Sequence, residues 1–261
     1  MEFPVVPDQR VTADMTVRSF PGAGSPVVWI HGLGESGRCF DPIVRHPRLR
    51  DGAHVVPDLP GYGRSPWGPP RALDETVDGL AAWLATVGPA VLVGHSLGGV
   101  LATLVAERAP AHVRAVVDVD GNTSLGDCTF SSKIAAWGER AFVDAGHAAL
   151  VAELAAGHAD PAVRGYAASM AFAEPRQLWR HAVDLVELSA SETLAGRRAA
   201  LAVPLTFIAG APRGVCARSR ELLDAAGVRV IDVAPAGHWP FIDQPDAFAA
   251  AVAAAMTGAG S

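Results

Sequence analysis

Two residues of the 261-residue chain, Ser96 and His238, have the types and surroundings that nucleophilic catalysis needs. Ser96 lies in Gly94-His95-Ser96-Leu97-Gly98, after the apolar run Val91-Leu92-Val93 and before a helical pattern from Gly99 to Ala109. Glycines two residues to either side let a strand and a helix approach across a tight, strained turn. The serine oxygen then stands at the carboxyl edge of a sheet, beside a helix N-terminus that favours developing negative charge. A serine hydroxyl attacks poorly until a base takes its proton. Of the nine histidines, His238 is best placed, in Ala236-Gly237-His238-Trp239-Pro240 between the last expected strand and the closing helix. An ordinary glycine turn and a surface-loop histidine are the plainer alternatives, and they explain less of the flanking pattern.

The elements that must position these residues alternate between short apolar runs and longer helical patterns, as in an α/β domain with a largely parallel sheet. Strands are expected at Val27–Ile30, Ala53–Pro57, Val91–Val93, Ala115–Asp120, Leu205–Ala209 and Val228–Val233. Val77, Leu80, Ala81, Leu84 and Val87 mark one face of a helix over Leu73–Val87, and Pro245–Met256 reads as the closing helix. Between Gly121 and Ala202 the alternation gives way to alanine-rich helical patterns, including Ala141–Ala155 and Leu178–Leu188. The expected organisation is a core of residues 1–121 and 203–261 with a helical lid inserted over 122–202.

His31-Gly32-Leu33-Gly34, Asp58-Leu59-Pro60-Gly61-Tyr62-Gly63-Arg64-Ser65, the turn at Ser96 and the Gly237-His238 pair together resemble the α/β-hydrolase superfamily, in its lid-bearing esterase, lipase and haloperoxidase branch. The resemblance implies a Ser-His-acid triad, with an oxyanion held by the backbone N–H groups of Leu33 and Leu97. Most relatives carry the acid in the loop after the strand matching Leu205–Ala209, but here that loop reads Gly210-Ala211-Pro212-Arg213-Gly214-Val215 and has no carboxylate. Other members place it at the end of the preceding core strand, and Asp120 occupies that position. Asp118 lies on the same face of the strand, farther from the carboxyl edge, and remains an alternative, as does a diminished triad. Glu35 and Cys39 read as a solvated acid and a packed thiol, Asp58 as a fixer of its loop, and Phe130, Trp137, Phe142, Tyr166, Phe172 and Trp179 as core aromatics.

The implied activity is hydrolysis of a carboxylic ester, thioester or lactone through an acyl-enzyme on Ser96, on a small-molecule acyl substrate. It requires no metal or organic cofactor. Another reaction on the same scaffold (C–C bond hydrolysis, perhydrolysis or lyase chemistry) or a non-catalytic binding protein would be the alternatives. A formal net charge of −6 gives no reason to expect nucleic acid or an anionic membrane as partner. The amino-terminal segment lacks a signal-peptide pattern and no apolar stretch approaches membrane-helix length. With three widely spaced cysteines (Cys39, Cys128, Cys216), a cytoplasmic location is expected. Oligomeric state is not legible.

Overall fold

The computed structural model describes residues 7–12, 14–157 and 160–257. Eight strands form one sheet: β1 (Asp8–Thr12), β2 (Met15–Phe20), β3 (Ala23–Ile30), β4 (Gly52–Asp58), β5 (Ala90–His95), β6 (Val113–Val119), β7 (Leu205–Arg213) and β8 (Val230–Gly237). Their spatial order is β1-β2-β4-β3-β5-β6-β7-β8. Pairing is parallel from β4 through β8, and β1 and β2 join antiparallel at one edge. All six residues of β5 are buried, because helices cover both faces of a parallel sheet and leave no side for polar residues.

On the core side, α1 (Asp41–Val44) follows β3, α2 (Leu73–Val87) follows β4, and α3 (Leu97–Arg108) follows β5. The α3 helix is buried continuously from Leu97 to Ala106, enclosed between the sheet and its neighbours. Between β6 and β7 come α4 (Ser131–Ala135), α5 (Glu139–Ala141), α6 (His147–Gly157), α7 (Pro161–Met170), α8 (Pro175–Ala190) and α9 (Leu194–Ala199). No strand interrupts them among the described residues. After β7 the chain continues through α10 (Ala217–Ala225), β8, α11 (Pro240–Asp243) and α12 (Pro245–Thr257). No described helix is long and apolar enough to cross a membrane.

Three local departures from the expected elements have physical causes. The edge strands β1 and β2 were not expected: β2 reads Met-Thr-Val-Arg-Ser-Phe, and its Arg18 is tolerated in a buried position because it pairs with Asp41. The helix expected over Ala141–Ala155 is broken by a π-helical turn at Phe142–Gly146, which buries Phe142 completely. Finally, β7 runs to Arg213, so four of the six residues read as a loop, Gly210 to Arg213, belong to the strand that pairs with β8.

A fully buried ion pair ties the helices between β6 and β7 to the sheet. Arg198 on α9 donates from Nε to Asp118 Oδ2 at 2.6 Å, and neither side chain is exposed. Its other nitrogens reach Thr123 Oγ1 at 2.9 Å and the Asn122 carbonyl at 3.1 Å, while the guanidinium lies over the Phe207 ring. Asp118 also accepts the Gly121 N–H at 2.9 Å. One cation thus satisfies the turn that leaves β6. Truncating it strands a buried carboxylate, a change that costs about 3–5 kcal/mol. Arg198→Ala is therefore expected to lower unfolding free energy by about that amount in a urea titration, with Arg198→Lys intermediate because it loses the forked geometry.

Candidate active site

The turn between β5 and α3 holds Ser96 at φ 54°, ψ −120°, a conformation that L-residues with a side chain rarely adopt. Its N–H is fixed by the Val119 carbonyl at 2.8 Å. The flanking glycines are sterically required. A Cβ on Gly94 would stand 2.0 Å from the Gly98 carbonyl oxygen, and one on Gly98 would stand 2.0 Å from that of Ile30. Leu97 opens α3 directly after the serine. The Ser96 hydroxyl lies 3.5 Å from Asn122 Oδ1, to which it donates.

Asp120 sits at the end of β6, next to the elbow, and also adopts a positive φ of 47°. Its backbone N–H bonds to the Ile208 carbonyl at 3.0 Å, and the carboxylate accepts the Gly210 N–H at 3.2 and 3.3 Å. The carboxylate-free stretch after the strand thus wraps this side chain: a Cβ on Gly214 would meet Asp120 Oδ1 at 2.5 Å. The Gly237 backbone reaches Gly210 from the far side. His238 follows, and its Nδ1 stands 3.9 Å from Asp120 Oδ2. Asp118 faces Arg198 instead, two residues back along the strand. Burial pushes the Asp120 carboxyl well above its ordinary range, against the Gly210 N–H that favours the charged form. Burial, and after it His95, lowers the His238 imidazole from its usual value.

Glu35 is not a solvated acid. It is buried, and two N–H groups and one imidazole nitrogen converge on it: Gly32 N at 2.7 Å and His95 Nδ1 at 2.9 Å on Oε2, and Trp239 Nε1 at 2.7 Å on Oε1. Burial alone would raise its pKa, but His95 and these hydrogen bonds hold it at about 2. The Glu35 N–H also bonds back to the Gly32 carbonyl at 3.2 Å and closes a local turn. Cys39 packs 3.8 Å from the same carboxylate. Asp58 fixes its loop as expected, accepting the Gly37 and Arg64 N–H groups at 2.7 and 2.9 Å.

Ser96 and His238 line a shared cavity of about 30 Å³ with Leu33, Asn122, Phe130, Tyr166 and Trp239. That volume suits a water or two. Phe130 and Tyr166 come from the segment between β6 and β7, which builds part of the cavity wall. Tyr166 and Trp239 stand 5.5 Å apart and also line a predominantly apolar cavity of about 560 Å³ between α7 and the Ser36–Cys39 turn. Among the described residues no group of three His, Cys, Asp or Glu side chains could hold a metal ion.

Known proteins align with this chain in sequence and in fold. Lipase LipV of Mycobacterium tuberculosis is 39% identical over 115 residues, 43% of each chain. The pimeloyl-[acyl-carrier protein] methyl ester esterase of Neisseria meningitidis is 38% identical over 100 residues, 38% of each chain. In each case the matched stretch spans less than half of the relative's length. A hydrolase from Pseudomonas aeruginosa PA01 has the same fold, with a TM-score of 0.73 at 23% identity over 96% of this chain and 98% of that one. A model of the alpha/beta hydrolase family matches residues 27–251, a span that runs from β3 into α12 and takes in the elbow, Asp120 and His238, and the chain belongs to that family.

Proposed function

We propose that this esterase- or lipase-type hydrolase cleaves a carboxylic ester, thioester or lactone through an acyl-enzyme on Ser96. The observation that carries the reading is the placement of Ser96, at a strained elbow, in one cavity with a histidine whose Nδ1 faces a buried carboxylate 3.9 Å away. That separation is longer than a hydrogen bond, and catalytic contacts are often long before substrate binds and tighten in the Michaelis complex.

In this mechanism His238 takes the Ser96 proton as the hydroxyl oxygen attacks the substrate carbonyl. Asp120 faces the resulting imidazolium, so the charge that burial disfavours on each partner alone is stabilised when both are ionised together. The tetrahedral oxyanion is held by the Leu97 N–H, at the start of α3, and by that of Leu33. The preceding N–H, on Gly32, is already engaged by Glu35, which leaves Leu33 as the loop's donor. His238 then protonates the leaving group, and a water deprotonated by the same imidazole releases the acid and restores the serine.

The helical insertion serves as the lid, and the apolar cavity beyond Tyr166 and Trp239 suits an aliphatic acyl group. The methyl ester named for the Neisseria meningitidis esterase, and the lipase activity named for LipV, support this class of chemistry.

A fluorophosphonate probe is expected to label wild-type protein at Ser96, detected by mass spectrometry of the modified peptide; absence of labelling in folded protein would overturn the mechanism. Asp120→Asn should lower kcat on p-nitrophenyl esters by about 10³- to 10⁴-fold, whereas near-normal turnover would remove Asp120 from the triad. Ala168→Trp, which narrows the apolar cavity, should depress kcat/KM for octanoate by at least about tenfold relative to acetate. An unchanged ratio would place the acyl group elsewhere.

A further inference from the structure

We infer that Glu35 and His95 form a buried ion pair, with His95 as an imidazolium, that positions the oxyanion loop and the base loop around Ser96. The side chains are 4% and 1% exposed and meet at 2.9 Å. The catalytic meaning of the pair rests on the Ser96–His238 reading; its existence does not.

The protonation state follows from counting donors. His95 Nε2 lies 2.7 Å from the His238 carbonyl oxygen, which can only accept, so Nε2 carries a hydrogen. Nδ1 faces Glu35 Oε2, and that oxygen already accepts the Gly32 N–H at 2.7 Å while Oε1 accepts the Trp239 indole N–H at 2.7 Å. Such a set of donors stabilises a carboxylate over a carboxylic acid. An ionised Glu35 has no proton to offer Nδ1, so the second hydrogen belongs to the ring. The result is a cation and an anion that each satisfy the other in a space closed to water, the one arrangement in which buried charges persist.

The partners give the pair its role. Glu35 holds the backbone of the loop that carries Leu33; His95 is the residue immediately before the nucleophile; and the two together grip the His238 carbonyl and the Trp239 side chain. Three chain segments far apart in sequence are thus fixed by one charge pair. The ring of His95 also stands 4.7 Å from that of His238, so its positive charge opposes protonation of the proposed base. The other titratable or charged groups facing the pair are His31, Cys39, Tyr166 and Asp118, the last neutralised by Arg198, with Asp58 reaching Cys39. None of them supplies the N–H groups that converge on Glu35.

The direct test is ¹⁵N NMR of the histidine side chains in wild-type protein, with His95 identified by its loss in His95→Gln. Two protonated ring nitrogens at neutral pH are expected; one protonated and one bare nitrogen would overturn the ion pair. For the positioning role, Glu35→Gln should lower kcat by about 10²-fold, the scale of a small misplacement of reacting groups, with little change in KM. His95→Gln should move the acid limb of the kcat/KM profile to higher pH. It removes a cation beside His238 while leaving the Glu35 carboxylate, and both effects raise the pKa of the base. A purely structural pair would lower activity without moving that limb, so an unmoved limb, or turnover in Glu35→Gln close to wild type, would overturn the role. Where either variant fails to fold, the wild-type spectrum still decides the ion pair. Fluorophosphonate labelling of wild-type Ser96 separates failure of this inference from failure of the serine mechanism.

Discussion

The backbone of Ser96 is held at φ 54°, ψ −120°, and much of the molecule serves to make that conformation tenable. Strain of this kind costs on the order of 1–3 kcal/mol and persists only where surrounding structure over-determines it. Here the over-determination is visible on each side. The β5 strand is buried along its whole length and paired on both edges, α3 is buried on every face through Ala106, and glycine at 94 and 98 removes the Cβ atoms that would force strand and helix apart. The neighbouring strand repeats the device, since Asp120 also leaves β6 at positive φ. Two strained residues at adjacent strand ends bring a hydroxyl and a carboxylate to the same edge of the sheet.

Three of the carboxylates buried near that edge, Asp118, Glu35 and Asp120, differ in how their charge is met. Asp118 has a guanidinium at 2.6 Å, and Glu35 has His95 and two further N–H donors. Asp120 has the backbone N–H groups of the Gly210 and Val215 stretch and a histidine 3.9 Å away. Burial also raises the Asp118 carboxyl, with Arg198 opposing it, but it drives that of Asp120, which lacks a permanent cation, well above its ordinary range. A group in that condition gains most from a positive charge that appears only during reaction. That asymmetry favours Asp120 over Asp118 as the acid of the proposed triad, an argument that strand alternation alone could not make because both residues share a face.

The parts of this arrangement legible in the chain are those with local steric causes. A glycine-flanked serine between an apolar run and a helical pattern determines a strand–turn–helix, and the structure places Ser96 there. The parallel core strands were legible for the same reason: residues buried on both faces read as continuous apolar runs. What escaped depends on pairings between distant segments. Glu35 looks solvated until His95 and Trp239, 60 and 204 residues away, are brought to it. Arg18 argues against a buried strand until Asp41 lies beside it. In both cases the polar side chain is costly to bury by itself, and the fold supplies the compensating partner.

On the proposed mechanism, the same network determines which wall of the site yields to substrate. A cavity of about 30 Å³ cannot hold an ester, while the apolar space of about 560 Å³ lies beyond Tyr166 and Trp239. Trp239 adjoins His238 in the chain and is hydrogen-bonded to buried Glu35, so displacing it would break a charge-assisted bond and disturb the base. Tyr166 belongs to α7, between β6 and β7, and its ring packs on Phe130 and Trp239 at centroid distances of 5.0 and 5.5 Å. Those apolar contacts can be exchanged for contacts with an aliphatic chain at little net cost, because one buried apolar surface replaces another. Opening through Tyr166 therefore leaves the nucleophile, base and oxyanion loop in place, whereas opening through Trp239 would dismantle the network that aligns them.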